Sequence, residues 1–221
     1  MRMRIYQMDM TREDSHHGIK PVDEHGKIDP TKYRKVLDAE VNEDTLLGAY
    51  YLFNTVDPHP LYSGHAMTEG DVIVTKEGAF AWNSKLGFQK IDFDESKAHT
   101  ENQIKVLFVQ PHAKPYVAEI PNTLEAKQRA VGGLIEFIYN HDGTALVGDE
   151  EAKIKYKEGN RYLDGMGIIA GNFLVVGLTE EDCRSLTDEE IQRYQEKYDE
   201  APDISPEETE ADVGFTMIQF M

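Results

Sequence analysis

The stretch from Asp71 to Ile91 constrains the fold more than any other part of the chain. Three short runs rich in β-branched and aromatic residues follow one another there: Asp71-Val72-Ile73-Val74-Thr75, Ala79-Phe80-Ala81-Trp82 and Gly87-Phe88-Gln89-Lys90-Ile91. Lys76-Glu77-Gly78 separates the first two as a turn. Apolar alternation of this length, punctuated so tightly, predicts a three-stranded antiparallel meander. A second series opens with Ile104-Lys105-Val106-Leu107-Phe108-Val109, whose apolar run suits a central strand. Pro111 to Pro115 turns the chain, and Tyr116 to Ile120 returns as the hairpin partner. Leu134 to Tyr139 is the next strand. The turn Asn140-His141-Asp142-Gly143 joins it to an antiparallel partner at Thr144 to Val147. Gly167 to Leu178 reads as one strong strand around Gly171.

Helices are marked by their ends. Asp29-Pro30 is an N-cap followed by proline at the first helical position, with Tyr33, Val36 and Leu37 at helical spacing behind it. A second helix is expected after Asn42, with Leu46, Leu47, Tyr50, Tyr51 and Phe53 as its apolar stripe, and Asp57-Pro58-His59-Pro60 ends it. Asn122 is placed to cap a helix that carries Glu125 in its first turn and stops at Gly132-Gly133. Leu186-Thr187-Asp188-Glu189-Glu190-Ile191 holds a capping box with its hydrophobic staple: Thr187 is N-cap, Glu190 is N3, and Leu186 packs on Ile191. The stripe of that helix is Ile191, Tyr194 and Tyr198. Residues 2 to 10 read as an opening strand, with Met3, Ile5 and Gln7 on one side and Arg4, Tyr6 and Met8 on the other. Thr11 to Gly26 reads as loop, and the apolar Phe215 to Met221 as a strand docked on this sheet or on a partner's edge.

At 221 residues the chain has room for two small domains at most. The fold class that follows is α+β, with two small domains, each a mostly antiparallel sheet with one to three helices. They span 1–95 and 103–200. The charged segment 96–102, part of a stretch from Asp92 with few large apolar groups after Phe93, is the linker, and 201–221 is an acidic tail ending in the apolar segment.

Charge narrows the partners. The chain carries 23 basic and 41 acidic residues, a formal charge of -18. Such a surface repels phosphate backbones and anionic lipid, so direct nucleic-acid binding and membrane attachment are disfavoured. The charge is concentrated. Glu180 to Asp212 holds 14 acidic residues against Arg184, Arg193 and Lys197, a net of -11 that leaves -7 for the rest of the chain. The bland reading of that segment is a solvated helix face and tail; the functional one is a docking surface for a basic partner, with Glu180, Glu181, Asp182, Glu189, Glu196 and Glu200 at its centre. Arg2, Arg4 and Arg12, and Lys32, Arg34 and Lys35, leave room for basic patches in the first domain.

No catalytic set or metal site emerges. His16-His17 with His25 is the nearest approach to a metal cluster, yet it lies in a polar loop with neither cysteine nor carboxylate at ligand spacing. Asp142-Gly143 opens no calcium loop, and Ala130-Val131-Gly132-Gly133 closes a helix where a phosphate cradle must open one. The single cysteine, Cys183, sits among Glu180, Glu181 and Asp182, whose field raises a thiol pKa. One cysteine, no apolar run near the roughly 18 residues of a membrane span, and no apolar leader together suggest a cytoplasmic protein. No cofactor is expected. Polar residues inside apolar strands do stand out. Glu136 shares a pleat side with Leu134 and Ile138, and Arg161, after Asn160, offers a counter-ion; a structural ion pair and a ligand-gripping pair both fit.

Two resemblances cover most of the chain. Ile5-Tyr6-Gln7, Phe53-Asn54, Gly64-His65-Ala66-Met67-Thr68-Glu69-Gly70-Asp71-Val72-Ile73-Val74 and Leu86-Gly87-Phe88 resemble the YodL-like domain of conjugative elements and phages, with Ala66, Met67 and Thr68 departing from its pattern. Lys105 to about Tyr198 resembles a phage and integrative-element family of unassigned function. It does so through Val131-Gly132-Gly133-Leu134-Ile135-Glu136, Asp149-Glu150-Glu151, Asn160-Arg161, Ile169-Ala170-Gly171-Asn172-Phe173 and Leu186-Thr187-Asp188-Glu189. Motif membership adds Glu136, Asp149, Glu150, Asn160 and Arg161 as candidate ligand-binding residues. What the resemblance implies is an accessory protein of a bacterial mobile element, serving transfer, replication control or evasion of host defence. The expected function is therefore a non-enzymatic one, in which the acidic segment docks a basic protein partner such as a host defence nuclease. The alternative is a small-ligand module that grips a nucleotide-like molecule through Arg161.

Overall fold

The structure is a computed structural model that describes residues 1–8, 28–100 and 102–218, with side-chain surroundings through residue 212. It divides into two compact units, Met1–Asn102 and Gln103–Met221. Both are α+β and built on antiparallel sheets, as the strand and turn pattern predicts.

In the first unit, strands β1 (Arg2–Met8), β2 (Tyr33–Glu40), β3 (Val72–Thr75), β4 (Gly78–Asn83) and β5 (Gly87–Ile91) form a sheet in the order β2-β1-β3-β4-β5. The expected meander is β3-β4-β5, with Ile73 opposite Phe80 and Ala81 opposite Gln89. Tyr6, Val72, Val74, Ala79 and Ala81 point to one face and pack with Tyr33, Phe93 and Ala98. By alternation Met3, Ile5, Gln7 and Ile73 point to the other, and they too are buried. Both faces of the central strands are therefore covered. On the second face, helix α1 (Leu46–Leu52) lays Tyr50 flat on Trp82, with ring centroids 4.0 Å apart. Its expected stripe is only partly used, because Leu47 and Tyr51 are exposed.

Two expectations fail here. Residues 33–40 are strand, not helix: Asp29 caps only a single 3-10 turn, Pro30–Lys32. Tyr33, Val36 and Leu37 mimic helical spacing because β2 bulges. Ile5 lies opposite Leu37 and Tyr6 opposite Lys35, so Val36 is an extra residue that breaks the two-residue period. The second failure is the linker. Phe93 and Ala98 are buried, the His99 backbone bonds to Tyr33 and Lys35, and Glu95 accepts from Arg4 and Tyr6. Residues 92–99 are bound to the first unit, with Phe93 and Ala98 in its core. The loop Thr11 to Gly26, with Arg12, His16, His17 and His25, lies outside the described residues.

In the second unit, β6 (Gln103–Val109), β7 (Tyr116–Pro121), β8 (Ile135–Tyr139), β9 (Thr144–Asp149) and β12 (Phe173–Leu178) pair in the order β7-β6-β12-β9-β8, and β13 (Cys183–Arg184) joins β12. A separate hairpin pairs β10 (Gly159–Leu163) with β11 (Gly167–Ala170). The expected single strand 167–178 is thus two strands in two sheets. Gly171, at φ +68, makes the turn between them, in a conformation L side chains rarely adopt. Helix α2 (Leu124–Val131) buries Ala126, Ala130 and Val131 and ends on Gly132 in the left-handed conformation. Thr123 is its cap. Asn122 instead joins Lys127, Asp182 and the Cys183 carbonyl, since its side chain reaches the β12–β13 turn.

Helix α3 (Asp188–Lys197) begins with the expected capping box. Leu186, Ile191, Tyr194 and Tyr198 join Leu107, Val109, Leu146, Phe173 and Val175 in one core. The chain then forms helix α4 (Pro206–Ile218). Residues 215–218, expected as strand, are helical; the acidic run from Glu207 and the capping Ser205 start a helix that carries through them. Residues 219–221 lie outside the described residues. No helix among the described residues is long and apolar enough to cross a membrane.

Candidate functional site

Three of the five expected ligand residues meet. Glu136 on β8, Asp149 at the end of β9 and Glu150 just after it line a cavity of about 350 Å³. Lys153, Ile138, Leu163, Ile168 and Ile169 are also among its lining residues. Asp149 is anchored there. Its buried carboxylate takes Lys157 at 2.7 Å, Lys155 at 3.2 Å and the Glu151 amide at 3.1 Å. Burial works against its charge, but these donors outweigh it and hold its pKa below the usual carboxylate range. A Cβ on Gly133 would lie 2.3 Å from that carboxylate, so the Gly132-Gly133 break also serves this contact. Glu136 is different. Partial burial, then the nearby charges of Glu150 and Asp149, raise its pKa against the pull of Lys153. Lys153 itself pairs with Asp212 of α4 at 2.5 Å, and Asp212 also accepts the Ile168 amide at 2.8 Å.

Asn160 and Arg161 are not part of this cavity, and the expected Glu136–Arg161 pair does not form. Arg161 is buried. It donates to the Tyr198 carbonyl at 2.9 Å, the Ala113 carbonyl at 2.7 Å and the Asn160 side-chain oxygen at 2.7 Å. Tyr198 is the C-cap of α3. The guanidinium therefore sits on the negative end of that helix dipole, which offsets the burial of a cation without a carboxylate. Asn160 ties β10 to the main sheet by donating to the carbonyls of Val109 and Gly171. Both residues are fully engaged in holding the fold.

The docking residues fall in two places. Glu180, Glu181 and Asp182 lie in the turn before β13, beside a groove of about 480 Å³ lined by Leu124, Ile135, Phe137, Tyr139 and Leu178. Glu189 and Glu196 lie on the exposed face of α3, and Glu200 follows it. Of the 14 acidic residues from Glu180 to Asp212, all but Glu190 and Asp212 are exposed. Those two are drawn inward, Glu190 by a bidentate bond from Arg184 and Asp212 by Lys153. Arg193 is occupied by Asp142 at 2.7 Å. The segment's arginines thus go to Glu190 and Asp142. Lys105 and Lys114 reach Asp188 at 3.6 Å and Asp199 at 2.8 Å, while Glu189, Glu196 and Glu200 stay exposed with no cation in ion-pair range among the described residues. Cys183 is buried, and desolvation first, with Asp182 adding to it, raises its thiol pKa. No metal-ligating cluster occurs among the described residues.

The first unit holds a polar cluster that residue-type reasoning missed. Buried Gln7 donates to Asp71 at 2.8 Å, to the Tyr62 hydroxyl at 3.0 Å and to the His65 carbonyl at 2.9 Å, and accepts the His65 amide at 2.9 Å. Thr68 gives its amide to Asp71 at 2.8 Å. Burial pushes the Asp71 pKa up to about 6, against those hydrogen bonds. The signal was the Gly64-to-Asp71 motif itself, which folds back on the opening strand. Of the basic residues expected to form patches here, Arg2 pairs with Asp38 at 2.6 Å, Arg4 with Glu95 at 2.5 Å and Lys35 with Asp38 at 3.6 Å, while Lys32 and Arg34 are exposed.

These features define a two-unit α+β protein with carboxylate-lined grooves and an acidic helical face. Residues 2–93 match the family model of the YodL-like domain, and residues 104–199 match that of a domain of unknown function (DUF3846). The chain carries a YodL-like domain followed by a DUF3846 domain, the order its motifs resemble. No curated protein and no solved structure is similar enough to the chain to match it.

Proposed function

We propose that this chain is a non-enzymatic accessory protein of a bacterial mobile element that binds a protein partner with a basic surface. Inhibition of a nucleic-acid-cutting defence enzyme is its concrete form. The observation that carries the reading is the carboxylate face of α3 and its flanks, where Glu189, Glu196 and Glu200 stay exposed while the segment's arginines bond Glu190 and Asp142. A groove built for phosphates attracts such a face, and the attraction raises the on-rate more than it slows dissociation. A nucleotide-like ligand is disfavoured in the cavity of the second unit, because three carboxylates face it and Arg161 does not.

The test begins with the tagged chain in its bacterial host and the protein that co-purifies with it. Association should slow at least ~10-fold between about 0.05 and 0.5 M salt, and to a similar degree on joint reversal of Glu189, Glu196 and Glu200 to lysine. Binding indifferent to both changes would refute the reading.

A further inference from the structure

We propose that the free edge of β8 takes up an extended segment of the partner, one that alternates basic with apolar residues, as an additional strand of the sheet. This rests on the protein-partner reading above and supplies the seat and the chemistry of the guest.

β8 ends its sheet, with β9 as its strand neighbour among the described residues. The Leu134 carbonyl accepts from Glu150 at 2.9 Å, and Asn140 donates to the Thr144 carbonyl at 3.0 Å. In an antiparallel ladder alternate residues face the partner, so Glu136 and Ile138 bond toward β9. Ile135, Phe137 and Tyr139 then turn their N–H and C=O groups outward. Natural edges are guarded by lysine, proline or a bulge. β8 has no lysine, proline or bulge and carries Glu136 as its one charge; its register runs unbroken from Ile135 opposite Asp149 to Tyr139 opposite Ala145. Its surroundings are apolar and exposed, with Tyr139 at 68%, Leu134 at 50% and Leu124 of α2 at 53%. Bare, such an edge invites aggregation.

The two faces of β8 specify the guest. Ile135, Phe137 and Tyr139 share the α2 side, where the rings of Phe137 and Tyr139 stack at 6.0 Å over the groove that Leu124 and Leu178 also line. Glu136 lies on the opposite side with Asp149 and Glu150 close enough to raise its pKa. Residues directly opposite on paired strands share a face. The incoming strand therefore sets apolar residues against Phe137 and Tyr139 and basic ones against Glu136. Glu180, Glu181 and Asp182 border the same groove and add to the demand for positive charge. A second copy of this chain is the wrong guest, because residues 103–221 hold 11 basic against 23 acidic residues and two such units repel.

The experiment titrates the whole isotope-labelled protein with two synthetic peptides of equal length, one alternating lysine with valine and one alternating glutamate with valine. The lysine peptide is expected to shift the amides of Ile135, Phe137 and Tyr139 and slow their hydrogen exchange, leaving Glu136 and Ile138 as they were. The glutamate peptide should bind at least ~10-fold more weakly. Phe137→Pro removes one outward donor and spares the β9 ladder, so it should abolish the protection with the fold intact. Should that variant not fold, Tyr139→Lys keeps the backbone and should weaken the lysine peptide at least ~5-fold by placing a like charge beside it. Unshifted edge amides, equal binding of the two peptides, or a concentration-dependent dimer that protects the same amides would each overturn the proposal. Reversal of Glu189, Glu196 and Glu200 should leave peptide uptake unchanged. Failure at the edge with the α3 dependence intact therefore removes the seat alone, and the converse removes the carboxylate face alone.

Discussion

Asp71 shows how a single buried group records its surroundings. Its folded pKa, raised to about 6 by burial, exceeds the ordinary carboxylate value, so the folded protein holds more protons than the unfolded chain between about pH 4 and 6. Stability of the first unit therefore falls as pH rises through that window, by on the order of 2 kcal/mol, and is level above it. Trp82 is the chain's single tryptophan and its amide donates to the Asp71 carbonyl, so its fluorescence reports this unit directly. Urea unfolding followed at Trp82 should give midpoints that fall between pH 4 and 6, and Asp71→Asn should flatten that slope. An unchanged slope in the variant would assign the protons elsewhere. The sequence shows Asp71 as a motif position and the first residue of a strand; its pKa arises because Gln7, some sixty positions earlier, and Tyr62 close over it.

Helix α4 is seated by buried Thr209, by Glu208, which accepts from the Tyr162 hydroxyl, and by Asp212. Asp212 joins it to the loop at Lys153 and to β11 at the Ile168 amide. Burial opposes the Asp212 charge, and Lys153 with the Ile168 amide outweighs it, leaving the pKa lowered. A lowered carboxylate pKa means the contact is present at neutral pH and is lost as pH falls through the folded value. Asp212→Asn keeps an acceptor for Ile168 but removes the ion pair. In a partly buried site that is worth about 1 kcal/mol, so exchange of the amides in 206–212 should speed up roughly five-fold. Rates equal to those of the parent chain would show that other contacts seat the helix. Element type was legible wherever the signal was local: the meander, the Thr187 capping box and the Gly132 stop all depend on residues within a few positions of one another. It was not legible at 33–40, where a bulge copies helical spacing, nor at 167–178, where Gly171 breaks an apolar run into strands of different sheets.

At the scale of the whole molecule, the charge of -18 is a self-repulsion that the folded state must carry. Most of it lies on exposed carboxylates, so added salt should screen it. The melting temperature is expected to climb by a few degrees between about 0.02 and 0.3 M sodium chloride, a direction opposite to that of a fold held by surface ion pairs. Calorimetry across that range decides the sign. The same distribution explains why the candidate site was half legible. Glu136, Asp149 and Glu150 come together because β8 and β9 are sequence neighbours and pair as the expected antiparallel hairpin. Arg161 does not join them, because its donors are taken by the end of a helix that begins some 27 positions later.

The sequence by itself determined the α+β class, the antiparallel pairing of adjacent strands, the Thr187 capping box, the Gly132 stop and the concentration of acid between Glu180 and Asp212. All of these follow from backbone preference and charge over short spans. Only the tertiary structure decided which carboxylates are drawn inward, that the stretch after Phe93 is bound to the first unit, and that β8 is left as an open edge between an apolar and an acidic face. Those outcomes depend on which distant elements become neighbours, and burial, hydrogen-bond partners and electrostatic field are properties of that neighbourhood.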